Sequence, residues 1–67
     1  LLLEDMQIFL SKAIHGMPSK RQVIFKMSRI EGLSNKQIAK QLGLSEKTIE
    51  NQIGRAIKYL RSYMSYT

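Results

Sequence analysis

The fold of this chain is decided by residues 34–60, which read SNKQIAKQLGLSEKTIENQIGRAIKYL. Ser34 with Gln37 three residues later has the form of a capping box, in which each side chain satisfies a free backbone N–H at a helix start. Gly43 follows, and glycine is the residue best suited to the left-handed conformation that closes a helix. Ser45 then offers a second helix start. The stretch therefore predicts a short helix, a tight turn and a longer helix.

Apolar residues in this stretch recur at helical spacing and predict how the two helices pack. Ala39 carries only a methyl group in the middle of the first helix, so the second helix can cross it closely. We expect an apolar wedge between the helices, made of Ile38, Leu42, Leu44, Ile49 and Ile53. Length and turn chemistry match a helix-turn-helix. The alternative is an ordinary corner of a helical bundle.

Two further helical segments precede this pair. The first ends near Gly16, with Pro18 just beyond; the second begins at Ser19, where Gln22 would complete another capping box, and ends at Gly32. Their predicted inward residues are Leu2, Met6, Phe9, Leu10, Ala13 and Met17 in the first, and Val23, Met27 and Ile30 in the second. The predicted fold is all-α with four helices: a winged-helix-like or homeodomain-like three-helix core containing the helix-turn-helix, preceded by an N-terminal helix.

The charge of the chain points to a polyanionic partner. Its 67 residues carry a formal net charge of +6, a field that steers a small protein towards nucleic acid. The charge is uneven: residues 1–18 sum to −1, whereas residues 19–67 hold ten basic and three acidic side chains. We therefore expect DNA to meet the part of the chain after residue 18.

Several classes of function are disfavoured by composition. The chain has no cysteine, which removes disulfides, thiol nucleophiles and cysteine-built zinc sites. We expect no cofactor and no enzymatic activity, because His15 stands alone and Glu4 and Asp5 are sequence neighbours rather than a paired acid and base. No run is long enough to insert into a membrane, so we expect a cytoplasmic protein. Leu1 in place of an initiating Met suggests that the 67 residues are one domain of a longer protein.

A helical wheel of the fourth segment separates an apolar face from a polar one. If Ile49, Ile53, Ala56 and Leu60 face the core, then Lys47, Asn51, Arg55 and Lys58 point outward, flanked by Thr48 and Gly54. Arginine can fork onto guanine, asparagine can pair with adenine, and threonine can touch a thymine methyl or a phosphate. The sequence therefore predicts DNA binding in the major groove, with Lys47, Thr48, Asn51 and Arg55 as the base-reading residues.

Other basic residues are candidates for the DNA backbone. Lys58 is more consistent with phosphate contact or solvation than with base reading, and the helix start at Ser34 and Lys36 offers free backbone amides. Further cations are Lys20, Arg21, Lys26, Arg29, Lys40 and Arg61. Any one of them is as well explained by solvation, but together they exceed what solubility requires.

Four stretches form an ordered series of motifs: residues 17–25, MPSKRQVIF; 27–39, MSRIEGLSNKQIA; 42–52, LGLSEKTIENQ; and 55–61, RAIKYLR. Together they resemble region 4 of the sigma-70 family, most closely its extracytoplasmic-function branch. The resemblance covers about residues 9–62. It implies that residues 1–67 are a region 4 helix-turn-helix domain that binds the −35 promoter element and the β-flap of RNA polymerase, while a separate region 2 reads the −10 element.

The resemblance also assigns residues. By matching position it makes Lys47, Thr48, Asn51 and Arg55 the base-reading residues and Ser34 and Lys36 the backbone contacts. Two positions depart from the family pattern: Met17 stands where leucine is usual before proline, and Gln22 stands where a basic residue is common. Arg21 beside it is the candidate to replace that phosphate contact.

Two alternatives remain open from the sequence. One is the output domain of a response regulator or quorum-type activator, which shares the Ser-Asn-Lys-x-Ile-Ala and Lys-Thr-Ile-Glu elements. The other is a basic helical module that binds an acidic protein or an anionic lipid surface. The first segment adds a question of its own, because Leu2, Leu3, Ile8 and Ile14 exceed what a single inward stripe needs. The family suggests that this excess faces the polymerase flap, an anti-sigma factor or the rest of the protein.

Overall fold

A computed structural model of the chain describes residues 3–64, and for the side chains residues 8 and 10–63. The described part contains four helices and no strand: α1 (Leu3–His15), α2 (Ser19–Arg29), α3 (Asn35–Leu42) and α4 (Glu46–Met64). The predicted all-α, four-helix fold is confirmed. Within the described residues, no helix is both long enough and apolar enough to cross a membrane.

The turn between α3 and α4 forms as its sequence predicts. The Ser34 hydroxyl accepts the Gln37 backbone N–H at 3.1 Å, and the Gln37 side chain accepts the Ser34 N–H at 2.8 Å, which completes the capping box. Gly43 closes α3 with a φ of +67°. The Ser45 hydroxyl then accepts the Thr48 N–H at 3.0 Å at the start of α4. Local chemistry therefore fixes the start of α3 and, at Gly43 and Ser45, both ends of the turn.

The start and the inward face of α2 differ from the prediction. Pro18 takes the N-cap position and no side chain caps the helix, so the predicted Ser19–Gln22 capping box is wrong. Gln22 instead donates its amide to the Met17 carbonyl at 2.7 Å. Val23 and Ile30, both predicted to face inward, are 47% and 70% exposed.

The reason for the rotated face of α2 is that this helix packs against two groups of residues rather than one. The buried side chains of α2 are Ile24, Phe25 and Met27. Ile24 and Met27 face α3 and the first half of α4, whereas Phe25 faces α1 and the second half of α4. A helix that serves two neighbours presents a face centred between them, and Val23 and Ile30 lie outside it.

The core accordingly has two parts that share α2 and α4. The central cluster consists of Ile24, Met27, Ile38, Ala39, Ile49 and Ile53, with Leu33, Leu44 and Ile57 packed against it. The N-terminal cluster consists of Ala13, Ile14, Met17, Phe25, Ala56 and Leu60, with Tyr59 and Tyr63 packed against it. The first half of α4 thus belongs to the helix-turn-helix, and the second half holds α1.

Three predicted core positions need correction. Leu42, assigned to the wedge between α3 and α4, is 37% exposed, because it lies in the last turn of α3, beyond the crossing at Ala39. Leu10 of α1 is 42% exposed, while Ile14, counted as surplus in the sequence, is buried in its place. Ile8 is exposed, as an excess apolar residue would be. The predicted inward residues Leu2, Met6 and Phe9, and Leu3 of the surplus, lie outside the described side chains.

Gly16, in the turn after α1, allows a close contact with α4. A Cβ built at Gly16 would collide with the hydroxyl of Tyr59. The aromatic ring of Tyr59 lies 6.0 Å from that of Tyr63, and both side chains pack on the N-terminal cluster. The Tyr59 hydroxyl therefore occupies the space beside Gly16, and a larger residue at position 16 would force the Tyr59 side chain to move.

The left-handed conformation of Gly43 leads to a stability prediction. Gly43→Ala should lower the free energy of unfolding by roughly 1–2 kcal/mol, since a Cβ disfavours this conformation. The matched control is Gly54→Ala inside α4, where φ is not positive and no atom lies within 4 Å of the added Cβ. That change should raise the free energy of unfolding by up to about 1 kcal/mol. Circular dichroism melts should therefore shift in opposite directions, and an unchanged melt for Gly43→Ala would contradict the assigned role.

Candidate nucleic-acid interface

The outward face of α4 carries the residues predicted to meet DNA. Lys47, Asn51, Arg55 and Lys58 are all exposed, whereas Ile49, Ile53, Ala56 and Leu60 on the opposite side are buried. The helical-wheel expectation is therefore confirmed for the direction of these side chains. Their contact with bases stays a prediction.

A shallow, open depression lies in the middle of this face. It is lined by Glu50, Asn51, Gly54, Arg55 and Lys58. The depression brings the amide of Asn51 and the cations of Arg55 and Lys58 around Gly54. Amides and cations are the groups suited to base edges and phosphates.

Thr48 has a second role at the start of α4. Its hydroxyl lies 2.8 Å from the Ser45 hydroxyl, and its backbone N–H is donated to the same Ser45 oxygen. The side chain is partly buried. The contact between the two hydroxyls orients the Thr48 side chain, so any contact with DNA is made by a pre-oriented side chain.

Lys47 forms an ion pair on its own helix. Its Nζ lies 3.6 Å from Glu50 Oε1, and both side chains are largely exposed. Exposed pairs of this kind contribute little and are screened by salt. Lys47 is thus available to DNA, but the Glu50 carboxylate weakens the positive potential at this end of the face.

An interaction that the sequence analysis missed joins α2 to α4. The Arg21 Nε–H donates to Gln52 Oε1 at 3.0 Å, and both side chains are partly buried. Local patterns could not reveal it, because the partners are 31 residues apart; the only signal was the place of Gln52 at the border of the outward face, next to Asn51. The bond leaves the terminal guanidinium nitrogens of Arg21 and the amide of Gln52 with donors for an anion.

Arg21 and Gln22 have clearly different positions. The Gln22 amide donates to backbone carbonyls at the end of α1, Met17 at 2.7 Å and His15 at 3.4 Å, whereas Arg21 points to α4. Arg21 is therefore the residue of this pair that contacts α4, although a basic residue is common at position 22 in the family pattern.

The remaining backbone candidates stand at the start of α3 and around the surface. Ser34 and Lys36 are both exposed, and the Ser34 oxygen, which accepts the Gln37 N–H, can still donate its own hydrogen. The other predicted cations are also exposed: Lys20, Lys26, Arg29, Lys40 and Arg61. They form a solvated positive surface on α2, α3 and α4.

Comparison with models of known protein families supports this geometry. The model described as Sigma-70, region 4 matches residues 10–60, from the middle of α1 to Leu60 of α4. The chain belongs to this family. The resemblance to sigma-70 region 4 is thereby confirmed, and the match spans the whole helix-turn-helix. A search of curated proteins finds no match to the chain.

Membership gives this region 4 a function in outline. Region 4 of sigma-70 factors is a DNA-binding, non-enzymatic domain that acts in transcription, with promoter DNA and RNA polymerase as partners. The exposed amide and cations of α4 agree with that outline, because they stand on the longer, second helix of a helix-turn-helix, which enters the major groove.

The bond between Arg21 and Gln52 can be tested by a double-mutant cycle. Arg21→Ala and Gln52→Ala should each lower the free energy of unfolding, and the double variant should lose less than the sum. The expected coupling is about 0.5–1.5 kcal/mol, the usual contribution of a partly solvated hydrogen bond. Urea denaturation measures it. Arg29→Ala combined with Gln52→Ala is the control pair and should be additive; equal coupling in both cycles would contradict a specific bond.

Proposed function

We propose that this region 4 domain binds the −35 element of promoters with α4 in the major groove, as part of a sigma factor that directs RNA polymerase to start transcription. The observation that carries the proposal is the face of α4, where Asn51, Arg55 and Lys58 are exposed and the opposite side is buried. We further propose that the sigma factor is of the extracytoplasmic-function type, that it acts in the cytoplasm, and that residues 1–67 are one domain of it.

Base reading is assigned to the first three turns of α4. Arg55 forks onto a guanine and Asn51 pairs with an adenine. Thr48, held by Ser45, presents its methyl to a thymine or its hydroxyl to a phosphate. Lys47 reaches guanine or the backbone after leaving Glu50, which is a small loss because that ion pair is exposed.

Backbone contacts are assigned to residues around this face. Arg21, held against α4 by Gln52, places its free guanidinium edge on a phosphate, a group that arginine binds with two parallel hydrogen bonds. Ser34 and Lys36 bind a second phosphate at the start of α3, where backbone amides are also available. Lys58 follows the backbone at the far end of α4. These contacts set position and affinity, whereas the base contacts set sequence preference.

Polymerase binding is assigned to α1 and α2. Ile8 and Leu10 of α1, Val23 of α2 and Ile30 directly after α2 are exposed apolar residues, and none of them belongs to the DNA-facing helix α4. We propose that the β-flap of the polymerase covers some of these residues, and that an anti-sigma factor, if the protein has one, competes for them.

Selection of bound duplexes from random DNA tests the proposal as a whole. The chain is used with and without a fragment of the polymerase flap. We expect one enriched sequence, bound weakly by the chain alone because a single small module buries little surface, and enriched more strongly with the flap. Equal recovery of all sequences would favour a basic interaction module instead, and an enriched inverted repeat would favour the output domain of a dimeric activator.

Two single substitutions should separate base reading from backbone binding. Arg55→Ala should lower the magnitude of the free energy of binding to the enriched duplex by about 1–3 kcal/mol and relax the sequence preference at one base pair. Lys36→Ala is the matched control and should weaken binding to all duplexes alike. The slope of the logarithm of the binding constant against the logarithm of the salt concentration should fall in magnitude by about 1. Salt titrations on the enriched and on scrambled duplexes measure both. If Arg55→Ala weakens both duplexes equally, or Lys36→Ala leaves the slope unchanged, the corresponding role is wrong.

A further inference from the structure

Gly54 occupies a position where glycine has no structural reason to be. It lies inside α4, is exposed, and does not have a positive φ. A Cβ at this position would meet no atom of the protein within 4 Å. Glycine inside a helix is unfavourable relative to alanine because it loses more conformational freedom on folding. Neither the turn chemistry that explains Gly43 nor the close contact that explains Gly16 applies here.

The surroundings of Gly54 are those of the proposed DNA interface. It lines the depression together with Glu50, Asn51, Arg55 and Lys58. Asn51 precedes it by three residues and Lys58 follows it by four, so all three share one side of the helix. Any duplex that Asn51 and Arg55 contact at its base edges must therefore also approach Gly54.

The surface of Gly54 determines which chemical group of the DNA can pack against it. In the interior of α4 the N–H and C=O groups of Gly54 belong to the helix hydrogen bonds, so the surface that Gly54 offers is its Cα methylene. A phosphate in the depression would be bound by the side chains of Arg55 and Lys58 and gain nothing from Gly54, whereas an apolar group can pack on the methylene itself. The apolar group on the base edges of the major groove is the C5-methyl of thymine.

We propose that Gly54 is a specificity-determining residue, whose missing side chain leaves room for the methyl group of one thymine between Asn51 and Lys58. The inference rests on the proposed function and adds to it a base preference made by the helix backbone. It also explains why a residue unfavourable for the helix stands in the middle of its outward face.

A double-mutant cycle tests the inference by adding a methyl group to the protein at position 54 and removing one from the DNA. The 67-residue chain and its Gly54→Ala variant are titrated against the duplex enriched by the wild-type chain. Duplexes in which each thymine in turn is replaced by deoxyuridine, which lacks only the methyl group, form the second axis. Gly54→Ser serves as a second variant with the same added Cβ, and melting curves recorded alongside establish that both variants are folded.

Replacing one particular thymine by deoxyuridine should lower the affinity of the wild-type chain for the duplex by about fourfold, the usual effect of one buried methyl group. Gly54→Ala should bind the thymine duplex at least about fourfold more weakly than the wild type does. On the deoxyuridine duplex it should bind as well as or better than on the thymine duplex, because its own methyl then fills the space. Both variants should bind scrambled duplexes as the wild type does.

The inference is overturned if Gly54→Ala binds the enriched duplex as tightly as the wild type, or if its loss is the same on every deoxyuridine duplex. An enriched sequence without thymine would also overturn it. These results leave the proposed function standing, since they require that the wild-type chain has selected a sequence. Failure of the wild type to select any sequence would remove both.

Discussion

The structure depends on α4 burying one face along most of its length while leaving the other free. Ile49 is fully buried against the helix-turn-helix, and Leu60, three turns later, is buried against α1. Each fully buried isoleucine contributes about 1.5–3 kcal/mol, whereas a domain of this size has only about 3–10 kcal/mol of net stability. The apolar face is therefore indispensable, and the polar face is left for binding because nothing in the fold needs it.

Close packing around Ala39 sets the angle at which that polar face is presented. Ala39 lies in the central cluster beside Ile38, Ile49 and Ile53, and a larger side chain would separate α3 from α4. Gly43 and the Ser45 hydroxyl fix the two ends of the turn, and the central cluster packs the helices on either side of it. The direction of Asn51 and Arg55 thus follows from apolar packing on the other side of the helix.

The sequence predicted the local features of α3 and α4 best, although the equally local capping box at Ser19 did not form because Pro18 takes the N-cap position. The α3–α4 turn and both faces of α4 were correct, because caps, a left-handed glycine and a period of 3.6 residues act within a few positions of each other. The face of α2 was wrong at Val23 and Ile30, since the face that a helix buries depends on how many neighbours it has. The same reason explains why Leu10 is exposed although it was predicted to face inward. A helical wheel of α1 identifies an apolar stripe, but not the angle at which that stripe meets α2 and α4.

The candidate site divides in the same way. Asn51, Arg55 and Lys58 were found because they lie opposite a clear apolar stripe. The bond between Arg21 and Gln52 was not, because it joins helices far apart in the chain, and a sequence without its fold gives no sign of that meeting. The contact between the Ser45 and Thr48 hydroxyls was also missed. These residues are near in sequence, but their side-chain rotamers decide whether the two oxygens meet.

The division of the core into two clusters has a dynamic consequence. The helix-turn-helix buries its own isoleucines in the central cluster, whereas α1 is held through the N-terminal cluster and the approach of Gly16 to Tyr59. Elements with separate apolar contacts can open separately and at a lower free energy than the whole domain. Backbone amides of α1 should therefore exchange with deuterated solvent before those of α3, and a partner that binds α1 can detach it while the helix-turn-helix stays packed in the central cluster.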